Sequence, residues 1–160
     1  MPPRKPRLYV ETNVIGYLSS RPSANVHTAS KQVLTADWWE SERPRYELYV
    51  SRVVVDEVSA GDPTAARERM TLISGITRVA STTAAQKLAD TLIHEAGLPP
   101  KAEADAAHMA LAAVHGMDYL LTWNCKHIAN VARRPNIVKI VLGAGYQAPI
   151  MCTPEELFHA

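Results

Sequence analysis

Four polar side chains stand where apolar runs give way, and their types suit one kind of chemistry. Glu11 follows Leu8-Tyr9-Val10 directly, Glu57 follows Val53-Val54-Val55-Asp56, Asp105 opens an apolar stretch, and Asn124 comes two residues after Thr122. Carboxylates a few ångströms apart repel, and buried ones lose hydration, so acids converge only where positive charge compensates them. A hard divalent ion, Mg2+ or Mn2+, supplies that charge, prefers oxygen ligands and keeps several waters. It leaves room for a phosphate oxygen and can lower the pKa of a bound water. Each position also has an ordinary alternative. Glu11 could face solvent at a strand end, and Glu57 beside Asp56 could belong to a solvated helix face. Asp105 could complement the dipole of a helix first turn, and Asn124 could cap the helix after it. Only the set of four, on a suitable frame, carries the reading.

The frame must bring residues far apart in the chain to one edge. Leu8–Val10, Glu47–Ser51, Thr77–Ala80, Tyr119–Thr122 and Pro149–Cys152 read as short buried strands. Between them, helices are predicted over Val14–Leu18, Asn25–Glu42, Val53–Ser59, Pro63–Ser74 and Thr83–Ala96. Further helices are predicted over Pro99–His115, Asn124–Arg133, where Pro135 breaks the chain, and Ile137–Leu142, with a capped helix start at Thr153. Ala106 to Val114 is apolar but for His108, so that helix should be buried on most sides. Alternating strands and helices predict an α/β fold with a mainly parallel central sheet. Sites in such sheets form at the carboxyl ends of the strands, where Glu11 and Asn124 would lie.

Length and composition set the outer bounds. The 160 residues suit one domain, with residues 1–7 as a flexible basic arm and 8–160 as the folded unit. The chain is 47% hydrophobic and 21% charged, an ordinary globular balance. A net charge of +1 gives no global attraction for nucleic acid, so phosphate contacts must come from local patches. Cys125 and Cys152 lack a paired spacing, which suits a reduced protein. The basic start lacks the apolar stretch of a signal peptide, and nothing approaches the roughly 20 apolar residues of a membrane span. A cytoplasmic protein without membrane contact is expected.

Other residues add detail. His108, three residues after Asp105, could hydrogen-bond it, touch substrate or simply fill the core. Arg52 and Lys126 rank first among the basic residues for phosphate contacts, because each lies near a strand end bordering the site. Trp123 could stack a base, although core packing is its ordinary role. Cys125-Lys126-His127 does not make a nucleophile motif, and the histidines and cysteines show no zinc spacing.

The stretches LYVETNVIGYLSSRP, ELYVSRVVVDEVSAGDP, LPPKAEADAAHMALAAVHGMDYLLTWNCKHIAN and PIMCTPEEL resemble the PIN domain, in particular a bacterial subfamily related to VapC-type toxins. The resemblance runs from Leu8 to Leu157, and D-A-x-H-x-A-x-A followed by G-M-D-Y-L-L-T-W-N is its most specific part. It implies a three-layer α/β/α sandwich and Mg2+- or Mn2+-dependent ribonuclease activity, RNA being the substrate. It further implies a small antitoxin as partner and a homodimer. The family's acidic positions match Glu11, Glu57, Asp105 and Asn124, its hydroxyl matches Thr122, and its polar residues after the first acid match Thr12 and Asn13. Two positions depart from the pattern. Glu11 replaces the usual Asp, and Asn124 replaces the fourth Asp, which leaves three carboxylates and weakens the case for a second metal. That loss also keeps open a catalytically weakened RNA- or protein-binding module.

Overall fold

The computed structural model describes residues 2–158; Met1 of the predicted arm and the last two residues of the predicted domain lie outside them. Its frame is built on β1 (Arg7–Val10), where Leu8, Tyr9 and Val10 are fully buried. A strand covered on both faces must be apolar throughout. Burying each such side chain contributes about 1.5–3 kcal/mol. Four further strands join it: β2 (Glu47–Ser51), β3 (Thr77–Val79), β4 (Tyr119–Leu121) and β5 (Ile150–Cys152). The order is β3-β2-β1-β4-β5 and every pairing is parallel. Register places Tyr9 opposite Tyr49 on one side and Leu120 on the other.

Helices α1 (Thr12–Ser19), α2 (Val26–Ser41), α3 (Arg52–Val58) and α4 (Pro63–Ile73) follow β1 and β2. Helices α5 (Thr83–Glu95), α6 (Glu103–Val114) and α7 (Arg134–Gly143) flank β4 in sequence. The main helix contacts fall into these two groups, with α1 touching α2, α3 and α4, and α5 touching α6 and α7. Right-handed crossovers that reverse direction after β3 put the groups on opposite faces. The three-layer sandwich with a parallel sheet is therefore the observed architecture. In α6, Ala106, Met109, Ala110, Leu111, Ala112 and Ala113 are buried, and the small alanines allow close approach of neighbours on several sides. Gly116, at φ 69°, makes the turn from α6 into β4, and the Arg7 guanidinium lies 3.5 Å from where a Cβ would sit.

Several boundaries differ from expectation. Arg7 belongs to the sheet rather than the arm: its N–H donates to Asp118, and its guanidinium donates to the His115 carbonyl at 2.7 Å and covers the Tyr49 ring. A 3-10 turn (Pro100–Ala102) precedes α6. The helix predicted over Asn124–Arg133 is instead a pair of turns. Asn124 Oδ1 accepts from the N–H groups of Lys126 and His127, and Asn130 Oδ1 from those of Ala132 and Arg133. Asparagine side chains that satisfy backbone donors locally compete with helix continuation. Pro135 does not break a helix but sits in the first turn of α7, where its missing N–H costs nothing. At the C-terminus, Thr153 and Glu156 form the reciprocal bonds of a capping box, yet the segment is a turn rather than a helix. Among the described residues no helix is long and apolar enough to cross a membrane.

Candidate metal centre

The sheet order reverses direction at β1, whose neighbours are β2 and β4. Strand ends diverge at such a point and leave a crevice. Glu11 enters it straight from β1, with its N–H donating to the Leu121 carbonyl at 3.0 Å so that the ladder continues one residue. Thr122, straight from β4, donates its hydroxyl to Glu11 Oε2 at 3.0 Å. The same hydroxyl oxygen accepts from the Asn124 N–H at 2.9 Å and from Asn13 Nδ2 at 3.4 Å. Asn13 Oδ1 accepts from the Trp123 N–H at 2.9 Å. Thus Asn13 and Thr122 clamp the β1 and β4 ends together and fix one oxygen of Glu11.

Glu57 arrives from the β2 side. Ser51 ends β2 and caps α3 by accepting from the Val54 N–H, which starts the helix where Glu57 turns toward the crevice. Thr12 donates to Glu57 Oε1 at 2.6 Å, and His108 Nε2 lies 2.7 Å from that oxygen and 3.4 Å from Glu11 Oε1. The Glu57 carboxylate accepts, so Nε2 facing it at 2.7 Å carries a hydrogen. The other ring nitrogen lies 2.7 Å from the Tyr9 hydroxyl, itself 2.6 Å from Ser51 Oγ. Tyr9, Ser51 and His108 are all fully buried. The resulting chain from α3 cap to carboxylates pins the imidazole at both nitrogens.

The two acids are held in opposite ways. Burial pushes the Glu11 carboxyl above its usual range, against the lowering effects of His108 and the Thr122 hydroxyl, with Glu57 and Asp105 adding repulsion. Burial also acts to raise Glu57, but hydrogen bonds from His108 and Thr12 and the electrostatic pull of His108 together bring it below its usual value. Two carboxyls whose donor atoms lie within 4.8 Å of one another are therefore shifted in opposite directions. Burial pushes the Tyr9 phenol upward, so it stays a neutral hydroxyl.

Asp105 stands in the first turn of α6, close enough to act electrostatically on Glu11. Its Oδ2 lies 2.9 Å from Nδ1 of His127, so its hydrogen-bond partner is not His108. Asn124 borders the crevice through its backbone, while its amide oxygen is directed at the turn. Arg52 is exposed and paired with Asp56, and Lys126 is exposed on the turn beside His127. Trp123 is largely buried, donating to Thr35 at 2.7 Å with Lys31 over its ring. Tyr9, Ser51 and His127 were not foreseen as site residues. Tyr9 reads as an ordinary strand residue, and only register shows that its hydroxyl meets the β2 end.

Glu11, Glu57 and His108 each offer a donor atom, all within 4.8 Å of one another. Two carboxylates and an imidazole match the donor set of a divalent metal, while Asp105, bonded to His127, acts on Glu11 electrostatically from outside this group. The buried, repelled Glu11 is the group such a charge would relieve. A groove of about 500 Å³ lined by Arg4, Met117, Asp118, Gln147 and Ile150 lies at the opposite end of the strands and takes no part.

No family model matches the sequence, and no curated protein matches it. Solved structures do match in fold. A structure of VapBC2 from Rickettsia felis, bound to a DNA fragment from their promoter, superposes with a TM-score of 0.58 at 15% identity, covering 92% of this chain and 98% of that one. A structure of VapBC-1 from nontypeable Haemophilus influenzae gives a TM-score of 0.58 at 13% identity, over 93% and 98% of the two chains. At that identity the likeness is one of fold, and the fold is PIN-like.

Proposed function

We propose that this PIN-like chain is a single-domain, divalent-metal-dependent endoribonuclease, the toxin half of a toxin–antitoxin pair acting in the cytoplasm. The observation that carries the reading is the convergence of Glu11, Glu57 and His108 at the reversal point of the sheet, with Asp105 near enough to act on Glu11 electrostatically. Glu11, Glu57 and Asp105 would hold Mg2+ or Mn2+, with Asn124 contributing at most through water because its amide oxygen serves the turn. When bound, such an ion activates water and neutralises charge developing on a phosphoryl group.

The chain's own residues do the positioning. Thr122 orients Glu11 and Thr12 orients Glu57, so neither carboxylate must be ordered when substrate arrives. Asn13 holds the β1 and β4 ends at fixed separation. Lys126 and Arg52 would receive RNA phosphates, Arg52 after giving up its exposed pair with Asp56. Hydrolysis would leave a 5′-phosphate and a 3′-hydroxyl. A small antitoxin would bind over the acidic crevice, and the protein would act as a homodimer.

The test is Asp105→Asn, assayed on structured RNA with Mn2+ and with chelator. Cleavage should disappear while the melting temperature stays near that of the wild type. Full cleavage by the variant would refute the assignment. A second reading, a binding module without hydrolysis, is favoured by one observation: Asn124 adds no charge and its amide is committed to the turn. RNA retention with neither Mn2+ binding nor cleavage would select it.

A further inference from the structure

The reading above gives the metal to Glu11, Glu57 and Asp105, although His108 completes the cluster of donor atoms. We propose that His108 Nε2 is itself a metal ligand, making the centre a mixed imidazole–carboxylate site rather than an all-oxygen one; this rests on the metal-dependent reading above.

Three observations support it. First, Nε2 lies 2.7 Å from Glu57 Oε1 and 3.4 Å from Glu11 Oε1, and the donor atoms of the three residues lie within 4.8 Å of one another, so a cation seated among them has this nitrogen within reach. Second, the ring has no freedom to leave. It is fully buried, packs edge to face against Tyr9 at 5.7 Å, and is held at Nδ1 by the Tyr9 hydroxyl. Metal-binding imidazoles are characteristically fixed in this way through their second nitrogen, which sets ring orientation and tautomer. Third, that partner is a hydroxyl, which can donate or accept. Without metal, Nε2 carries the hydrogen and Tyr9 donates to Nδ1. With metal, the hydrogen resides on Nδ1, Tyr9 accepts it, and the Tyr9 hydroxyl donates to Ser51 Oγ 2.6 Å away. Nε2 then presents its lone pair. A carboxylate in place of Tyr9 would not allow both states, since it only accepts.

A nitrogen donor changes which ions fit. Carboxylate oxygens alone suit Mg2+, whereas an imidazole adds affinity for Mn2+ and later transition ions. The protein should therefore bind Mn2+ at least about tenfold more tightly than Mg2+.

Pulsed electron paramagnetic resonance on the full chain loaded with Mn2+ alone reads the ligand directly. A directly coordinated imidazole nitrogen produces a hyperfine modulation whose pattern changes when histidine is supplied isotopically labelled. That modulation is expected in the wild type, should persist in His127→Gln and should vanish in His108→Gln. Because His108 is fully buried and replacing it puts folding at risk, Tyr9→Phe gives a second reading: modulation retained, with Mn2+ affinity about 10- to 100-fold weaker. Stoichiometric Mn2+ binding without nitrogen modulation, or modulation lost in His127→Gln, overturns the ligand assignment and leaves the nuclease reading intact. Failure to bind Mn2+ at all overturns both.

Discussion

Replacing Tyr9 with Phe removes one oxygen from the most enclosed part of the site. The ring volume is nearly unchanged, so the effect isolates the hydroxyl that bridges Ser51 Oγ at 2.6 Å and His108 Nδ1 at 2.7 Å. All three residues are fully buried, so water does not readily replace it. Ser51 Oγ keeps the Val54 N–H, leaving the imidazole nitrogen as the principal orphan. An unsatisfied buried polar group costs about 1–3 kcal/mol, and with the second lost bond the total is about 2–4 kcal/mol. For a chain of this size each kcal/mol lowers the melting temperature by about 2–4 °C, so a fall of about 4–16 °C is expected. Chemical denaturation should show a lower midpoint at unchanged slope. Ser51→Ala should cost about 1–2 kcal/mol through its cap and its bond to Tyr9. The double variant should fall short of the sum by about 0.5 kcal/mol or more, because both changes break the same contact. A Tyr9→Phe protein within about 0.5 kcal/mol of the wild type, or strictly additive variants, would refute the buried chain.

Further expectations concern charge, the turn and the thiols. Glu11 has a raised folded-state pKa, so its ionisation destabilises the fold progressively as pH rises above the ordinary 4.5, until the raised value is passed. Glu11→Gln should therefore melt higher than the metal-free wild type at neutral pH, with the gap closing on acidification toward 4.5; an equal or lower melting temperature at neutral pH contradicts this. Asn124→Asp keeps both turn bonds available while adding a fourth acid, so calorimetry should show Mn2+ binding several-fold tighter, and weaker binding would argue against Asn124 bordering the ion. Burial pushes the Cys152 thiol up to about 12, whereas Cys125 is exposed. A thiol reagent should thus modify Cys125 in the native protein and Cys152 only after unfolding, as counted by mass spectrometry.

The strands were legible because continuous apolar runs such as Leu8–Val10 and Tyr119–Leu121 have few alternatives when bounded by polar residues. The acid at the end of β1 was legible for the same reason: an abrupt carboxylate after a buried strand is conspicuous. The segment after Asn124 was misread because its composition permits a helix, while two asparagine side chains divert its backbone into turns. Side-chain partnerships were the least legible. His108 and Asp105 are three apart on one helix, yet α6 directs the first toward Tyr9 and Glu57 and the second toward His127. Helical spacing identifies neighbours on a surface, but it carries no information about which strands and turns lie opposite. His127 enters through the turn that was read as helix, so its role was hidden by the same error.

The bond from Thr122 to Glu11 joins residues separated by 111 positions, and β4 is the strand that completes the enclosure of β1. A ribosome making this chain therefore releases Glu11 early and its anchoring hydroxyl late. Until β4 and the His127 turn emerge, the nascent polypeptide has no assembled centre. Pairings of such long span also close slowly, so this end of the sheet is completed after the local helices have formed.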